Sequence, residues 1–207
     1  MLGHQLAAYR NVPGLLVLGL PRGGVAVAYE IAGALGADLD VLVVRKLGVP
    51  YEPELAFGAI ATGGATALND DVVAAAEITP AEVQATLRVE RSELSRREQA
   101  YRAGREPLAV RGRPVIVVDD GLATGASMRA AIAALRSLQP SKLVVAVPVA
   151  PAETVAEFRR LADDFVCLEA PRDFHSVGWW YLAFEQTSDA EVHQLLEAAR
   201  ISKPSAA

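Results

Sequence analysis

Val115-Ile116-Val117-Val118-Asp119-Asp120-Gly121-Leu122-Ala123-Thr124-Gly125-Ala126-Ser127 carries four β-branched residues straight into two adjacent carboxylates, then into a loop of small residues. Apolar runs without polar alternation form strands covered on both faces, as in parallel sheets. Helical spacing begins at Ala126 and continues to Leu138, ahead of Pro140. The loop between strand and helix would aim successive N–H groups, and the hydroxyls of Thr124 and Ser127, at one point. A helix N-terminus there favours an anion, and ligands of open α/β sheets sit at the carboxyl ends of strands. Residues 124–127 therefore suit a phosphate monoester. Two acids do not belong beside a bare phosphate unless a sugar or Mg²⁺ intervenes. The plainer alternative is an ordinary β–α turn with an N-capping acid, which needs no tandem acids.

Working outward, the same alternation repeats. Leu15–Gly19, Asp40–Val44, Leu143–Val147 and Phe165–Leu168 are further strand-like runs. Helical patterns follow at Val25–Leu35, ending at Gly36, and after Pro151. The expected class is α/β: a doubly wound sheet of about five parallel core strands. One domain over 1–207 is expected, with its core in 12–50 and 113–170. Residues 51–112 stand outside the alternation. They contain a possible hairpin, Leu55–Ile60 turning at Thr62-Gly63-Gly64, then a long helix capped by Thr79, Pro80 and Glu82. Its mixed charges read as a solvated face with i,i+4 pairs. Residues 171–200 form the second outlier, aromatic and then helical from a capping box at Ser188 and Glu191.

Composition narrows the classes. The 207 residues are 52% hydrophobic and 22% charged, so the chain as a whole is not disordered. A single cysteine, Cys167, excludes an intrachain disulfide and a cysteine-based zinc cage. His4, His175 and His193 have no metal spacing. No apolar run is long enough to span a bilayer, and Met1-Leu2-Gly3-His4-Gln5 does not begin a secretory signal. A cytoplasmic location is expected. The net charge of −5 argues against a broad nucleic-acid surface.

A second loop, Gly19-Leu20-Pro21-Arg22-Gly23-Gly24, closes the first strand. Gly23 and Gly24 lack a Cβ, so the backbone can approach an anion closely. Arg22 adds a permanently charged planar donor. Alone, this loop is equally a tight turn. Arg45 and Lys46, placed at the end of the second strand, are either further anion donors or a solvated pair.

In their order and spacing, these two loops resemble the motifs of type I phosphoribosyltransferases. The likeness extends over 18–60, 115–149 and 171–192, and is nearest to small stand-alone or modular members. It implies transfer of 5-phosphoribosyl from phosphoribosyl pyrophosphate (PRPP) to a nitrogenous base, with pyrophosphate released. By resemblance, Asp119 and Asp120 hold the ribose hydroxyls and, through ribose and water, Mg²⁺. Ala123, Thr124, Gly125, Ala126 and Ser127 grip the 5-phosphate. Arg22, Gly23, Gly24, Arg45 and Lys46 receive pyrophosphate. The base lies under a C-terminal hood carrying Phe174, Val177, Trp179, Trp180 and Tyr181, aromatics that core packing would also explain. In an extended segment Trp179 and Trp180 would point opposite ways. A homodimer and a flap drawn from 61–110 are further implications. Purine-salvage relatives carry a carboxylate where this chain has Ala123. The rival reading is a non-catalytic module of the same fold that senses PRPP or nucleotides.

Overall fold

The computed structural model describes residues 1–201. The chain runs α1 (Leu2–Gln5), β1 (Leu16–Gly19), α2 (Gly23–Leu35), β2 (Asp38–Val41), β3 (Val44–Val49), β4 (Glu52–Ala61) and β5 (Ala65–Leu68). It continues through α3 (Asp70–Ala75), α4 (Pro80–Arg102), β6 (Pro114–Val118), α5 (Ala126–Ser137) and β7 (Lys142–Val149). Last come α6 (Ala152–Leu161), β8 (Asp164–Glu169) and α7 (Asp189–Ile201).

Five strands form one parallel sheet in the order β2-β1-β6-β7-β8, as the apolar runs imply. Alternate residues of each strand serve opposite faces. Val17, Ile116 and Val118 join α2, α4 and α7 in one core. Leu18, Val115 and Val117 join α5 and α6 in the other. Helix ends follow the sequence signals. Gly36 closes α2 at φ 67°, and Thr79 caps α4 reciprocally with Glu82. Ser188 Oγ accepts the Glu191 N–H at 3.2 Å, while Glu191 accepts the Ser188 N–H at 2.7 Å.

Two corrections concern the second strand and its successor. β2 ends at Val41, and Arg45 and Lys46 lie in β3. There the chain leaves the parallel sheet: the Val43 N–H donates to Thr62 Oγ1 at 3.0 Å, and the Thr62 N–H returns to the Val43 carbonyl at 3.0 Å. Leu42 and Val43 are buried on either side of this break, so the apolar run reads as unbroken. The expected hairpin is present as β4 and β5, but β3 extends it to an antiparallel sheet of three strands packed on α5.

The spatial order reverses between β1 and β6. Both strands run parallel there, so the loops leaving their carboxyl ends open a crevice at that switch point. Those loops are 20–22 and 119–125.

Candidate functional site

Asp119 and Asp120 stand where β6 ends, against the first turn of α2. The two glycines of α2 make that approach possible. A Cβ on Gly23 would lie 1.9 Å from Asp120 Oδ2, and one on Gly24 would lie 2.8 Å from Asp119 Cα. The Asp120 N–H donates to Asp119 Oδ1 at 2.9 Å. Burial, and then the neighbouring Asp120 charge, push the Asp119 carboxyl up to about 8. Burial raises Asp120 as well. The Tyr181 hydroxyl donates to the Asp120 carbonyl oxygen at 2.6 Å. Burial, followed by the two carboxylate charges, keeps that phenol protonated far above neutrality.

This acid pair therefore works against folding once it ionises. A carboxyl raised in the folded state contributes fully below its unfolded value, and the contribution is lost as pH rises through about 8. Asp119→Asn keeps the acceptor for the Asp120 N–H and abolishes the loss. The variant should melt several degrees above wild type near pH 9, with the gap closing near pH 4. Parallel melting curves across that range would refute the burial argument.

Gly125 opens α5 at φ 72°, a left-handed conformation suited to glycine. A Cβ there would also press on the Phe158 ring, 2.7 Å away. Arg129 braces the loop from the first turns of α5. Its Nη1 donates to the Thr124 carbonyl at 2.7 Å and its Nη2 to Glu157 at 2.8 Å. The Ala126 N–H leans on Thr124 Oγ1 at 3.4 Å. Among the described residues, the N–H groups of Thr124, Gly125 and Ser127 have no acceptor. Unpaired amides at the start of a twelve-residue helix suit an anion. They border a cavity of about 310 Å³, whose wall includes Asp119, Asp120, Ala123 and the hood residues Val177 and Phe184. Gly121, where the resembled motif has an apolar residue, leaves room for Val177: a Cβ would meet its Cγ1 at 2.7 Å.

On the other side of Asp120 lies a cleft of about 830 Å³ holding Pro21, Arg22 and Gly23. The Pro21–Arg22 peptide is cis. Arg22 Nη1 stands 3.8 Å from Asp189 Oδ1, which also accepts the Tyr101 hydroxyl at 2.8 Å. The cleft and the smaller cavity share Asp120 and Phe184.

The structure thus brings Asp119, Asp120, residues 123–127, Arg22 and Gly23 around one crevice. Arg45 and Lys46 stay apart. Arg45 Nε pairs with Glu90 at 2.6 Å, Lys46 Nζ faces Glu54 at 3.8 Å, and neither lines the cleft. The hood differs from the extended segment expected. Val177–Trp180 is a 3₁₀ turn, leaving Trp179 73% and Trp180 40% exposed. Neither tryptophan nor Phe174 lines either cavity; Tyr181 lines the larger cleft and Phe184 lines both. Sequence reasoning missed Phe184, and it also set Arg96 and Arg97 aside on a solvated face. Both arginines line the cleft. Their i, i+3 and i+4 spacing to Ala100 and Tyr101 was the available signal.

The family model for the phosphoribosyl transferase domain matches residues 7–181. "Putative phosphoribosyl transferase Rv0571c" of Mycobacterium tuberculosis strain H37Rv is 49% identical over 200 residues. "Putative phosphoribosyl transferase MT0597" of strain CDC 1551 shows the same identity over the same length. Each match covers 95% of this chain and 45% of the relative, so the chain spans about half the length of these proteins. The crystal structure of TT1426 from Thermus thermophilus superposes with a TM-score of 0.85 at 41% identity, covering 94% of this chain and 92% of that one. The crevice between two anion-suited loops thus sits on a scaffold matched from residue 7 to residue 181, and the chain belongs to the phosphoribosyl transferase domain family.

Proposed function

We propose that the chain transfers the 5-phosphoribosyl group of PRPP to a nitrogen acceptor and releases pyrophosphate. One observation carries the reading. The acid pair stands between two anion-suited hollows, a loop of unpaired amides on one side and, on the other, the part of the larger cleft formed by Arg22 and the start of α2. PRPP has that distribution: phosphate at C5, diol in the middle, pyrophosphate at C1.

The amides and hydroxyls of residues 124–127 would take the 5-phosphate. Asp119 and Asp120 would accept the ribose hydroxyls, and Arg22 with the start of α2 would face the pyrophosphate. As the acceptor nitrogen bonds to C1, the C1–O bond breaks and its electron pair leaves on pyrophosphate. The Asp120 carboxylate, joined by Asp119 once it loses its proton, would stabilise the positive charge that builds at the ring, while the fixed loops supply alignment. Ala123 offers the acceptor no proton-abstracting group, so its proton leaves by another path.

Mg²⁺ fits this donor set in one respect. Among the described residues no cluster of three or more ligating side chains exists to cage an ion. A cation held by Asp119 and Asp120 with substrate oxygens and water suits magnesium, which keeps much of its hydration. When bound, it would neutralise charge on the departing pyrophosphate.

Thermal shift is the first test. PRPP with Mg²⁺ at a hundred times its dissociation constant should stabilise the fold by about 2.7 kcal/mol, roughly 5–10 °C for a chain of this size. No shift at millimolar PRPP would overturn the reading. Pyrophosphate release on adding nitrogenous bases would establish transfer. Binding with no release across a broad panel would favour a PRPP-sensing module.

A further inference from the structure

The larger cleft has more room than a leaving pyrophosphate requires, and about 830 Å³ lies within the range of pockets for whole small molecules. Its α4 wall carries Arg96, Arg97, Ala100 and Tyr101. One turn earlier, Glu93 grips both arginines. It accepts from Arg96 Nε at 2.8 Å and Nη2 at 2.9 Å, and from Arg97 Nε at 2.8 Å. These bonds hold the Glu93 carboxyl down to about 2, so it stays ionised. One carboxylate between two guanidinium groups leaves that trio one positive charge, fixed in place, although the cleft lining as a whole balances Arg22, Arg96 and Arg97 against Asp120, Glu185 and Asp189. Nη1 of Arg96 and both Nη groups of Arg97 donate to nothing among the described residues. A guanidinium with both terminal nitrogens free matches a carboxylate or phosphate in two-point geometry.

The pyrophosphate already has Arg22 and the start of α2. The remaining lining of the cleft is suited to a ring: Tyr181 and Phe184 stand 5.1 Å apart between centroids, beside Gln186 and Thr187. The cleft also accommodates a carboxylate of its own. Asp189 lies by Arg22, and its charge reaches Arg96. We propose that Arg96 and Arg97 form a subsite for an acidic group on the acceptor, so the nucleophile is an aromatic nitrogen base bearing a carboxylate or phosphate. This rests on the phosphoribosyl-transfer reading and adds the acceptor's class to it.

Matched pairs of probes differing only in the acid group provide the test: nicotinamide with nicotinate, and uracil with orotate. Affinity is measured by titration calorimetry, for PRPP with Mg²⁺ and separately for each base with pyrophosphate and Mg²⁺ so that no transfer consumes it, for wild type and for the double variant Arg96→Gln, Arg97→Gln. Both side chains are substantially exposed, so the variant should fold. In wild type, the acid of at least one pair should bind tenfold or more tightly than its neutral partner. In the variant that preference should fall below twofold, with PRPP affinity changed less than twofold. Equal binding within every pair, or a preference that survives in the variant, would overturn the proposal. So would a variant that loses PRPP affinity, which would assign both arginines to the pyrophosphate. Wild type that binds no PRPP would remove the parent reading and this one with it. PRPP binding without an acid preference would remove this one alone.

Discussion

Asp120→Asn is expected to lower PRPP-dependent turnover at least about a hundredfold, the scale on which preorganised charge acts in a desolvated site. Asp120 borders both hollows, so its carboxylate lies between the places proposed for the 5-phosphate and the pyrophosphate. Asparagine keeps the shape and removes the charge that would oppose the cation forming at the ribose. The fold should not suffer. Burial already raises the Asp120 carboxyl, and the Tyr181 hydroxyl bonds to the backbone carbonyl, which the substitution leaves in place. The expected result is a large fall in kcat with a melting temperature at or above that of wild type. Unchanged kcat would remove the carboxylates from the mechanism, whereas a collapsed melting temperature would make them scaffolding.

The second large effect separates chemistry from stability within one dipeptide. Alanine for glycine inside a helix ordinarily stabilises by about 1 kcal/mol. At Gly23 the new methyl would collide with the end of the Asp120 side chain, at 1.9 Å from Oδ2 and 2.7 Å from Cγ. The carboxylate can swing away, so Gly23→Ala should fold while losing turnover about tenfold or more, the cost of misaligning a catalytic group. At Gly24 the methyl would meet backbone, 2.7 Å from the Val118 carbonyl oxygen and 2.8 Å from Asp119 Cα. Those atoms belong to the carboxyl end of β6, the central strand of the sheet, and cannot move freely. Gly24→Ala should cost about 1–3 kcal/mol of stability, the usual scale of overpacking. Kinetics and melting on the pair provide the check. Two variants that are both silent would show that α2 does not approach the acids closely.

Much of this site was legible because its parts are local. Val115–Val118 has the unalternated pattern of a strand buried on two faces, and the tandem acids and small-residue loop follow without interruption. The glycines of the second loop were legible as a close approach. That approach turns out to be to Asp119 and Asp120 rather than only to a bound anion. What sequence could not convey was long-range. Arg45 and Lys46 read as the end of a core strand because nothing local marks the exit at Leu42–Val43. Thr62, nineteen residues beyond Val43, makes the bonds that redirect the chain. Arg96 and Arg97 sit on an ordinary-looking charged helix, and only the packing of α4 against α7 and β3 turns them toward Arg22. In the hood, aromatic content was visible but direction was not. The 3₁₀ turn at Val177–Trp180 leaves both tryptophans off the cavity walls, which Tyr181 and Phe184 help to line.

A crystal structure of the protein with PRPP and Mg²⁺ addresses the acid pair and the amide loop together. It should place the 5-phosphate on the N–H groups of residues 124–127 and both ribose hydroxyls on Asp119 and Asp120, with pyrophosphate at Arg22. PRPP lodged elsewhere, with those two carboxylates untouched, would contradict the account.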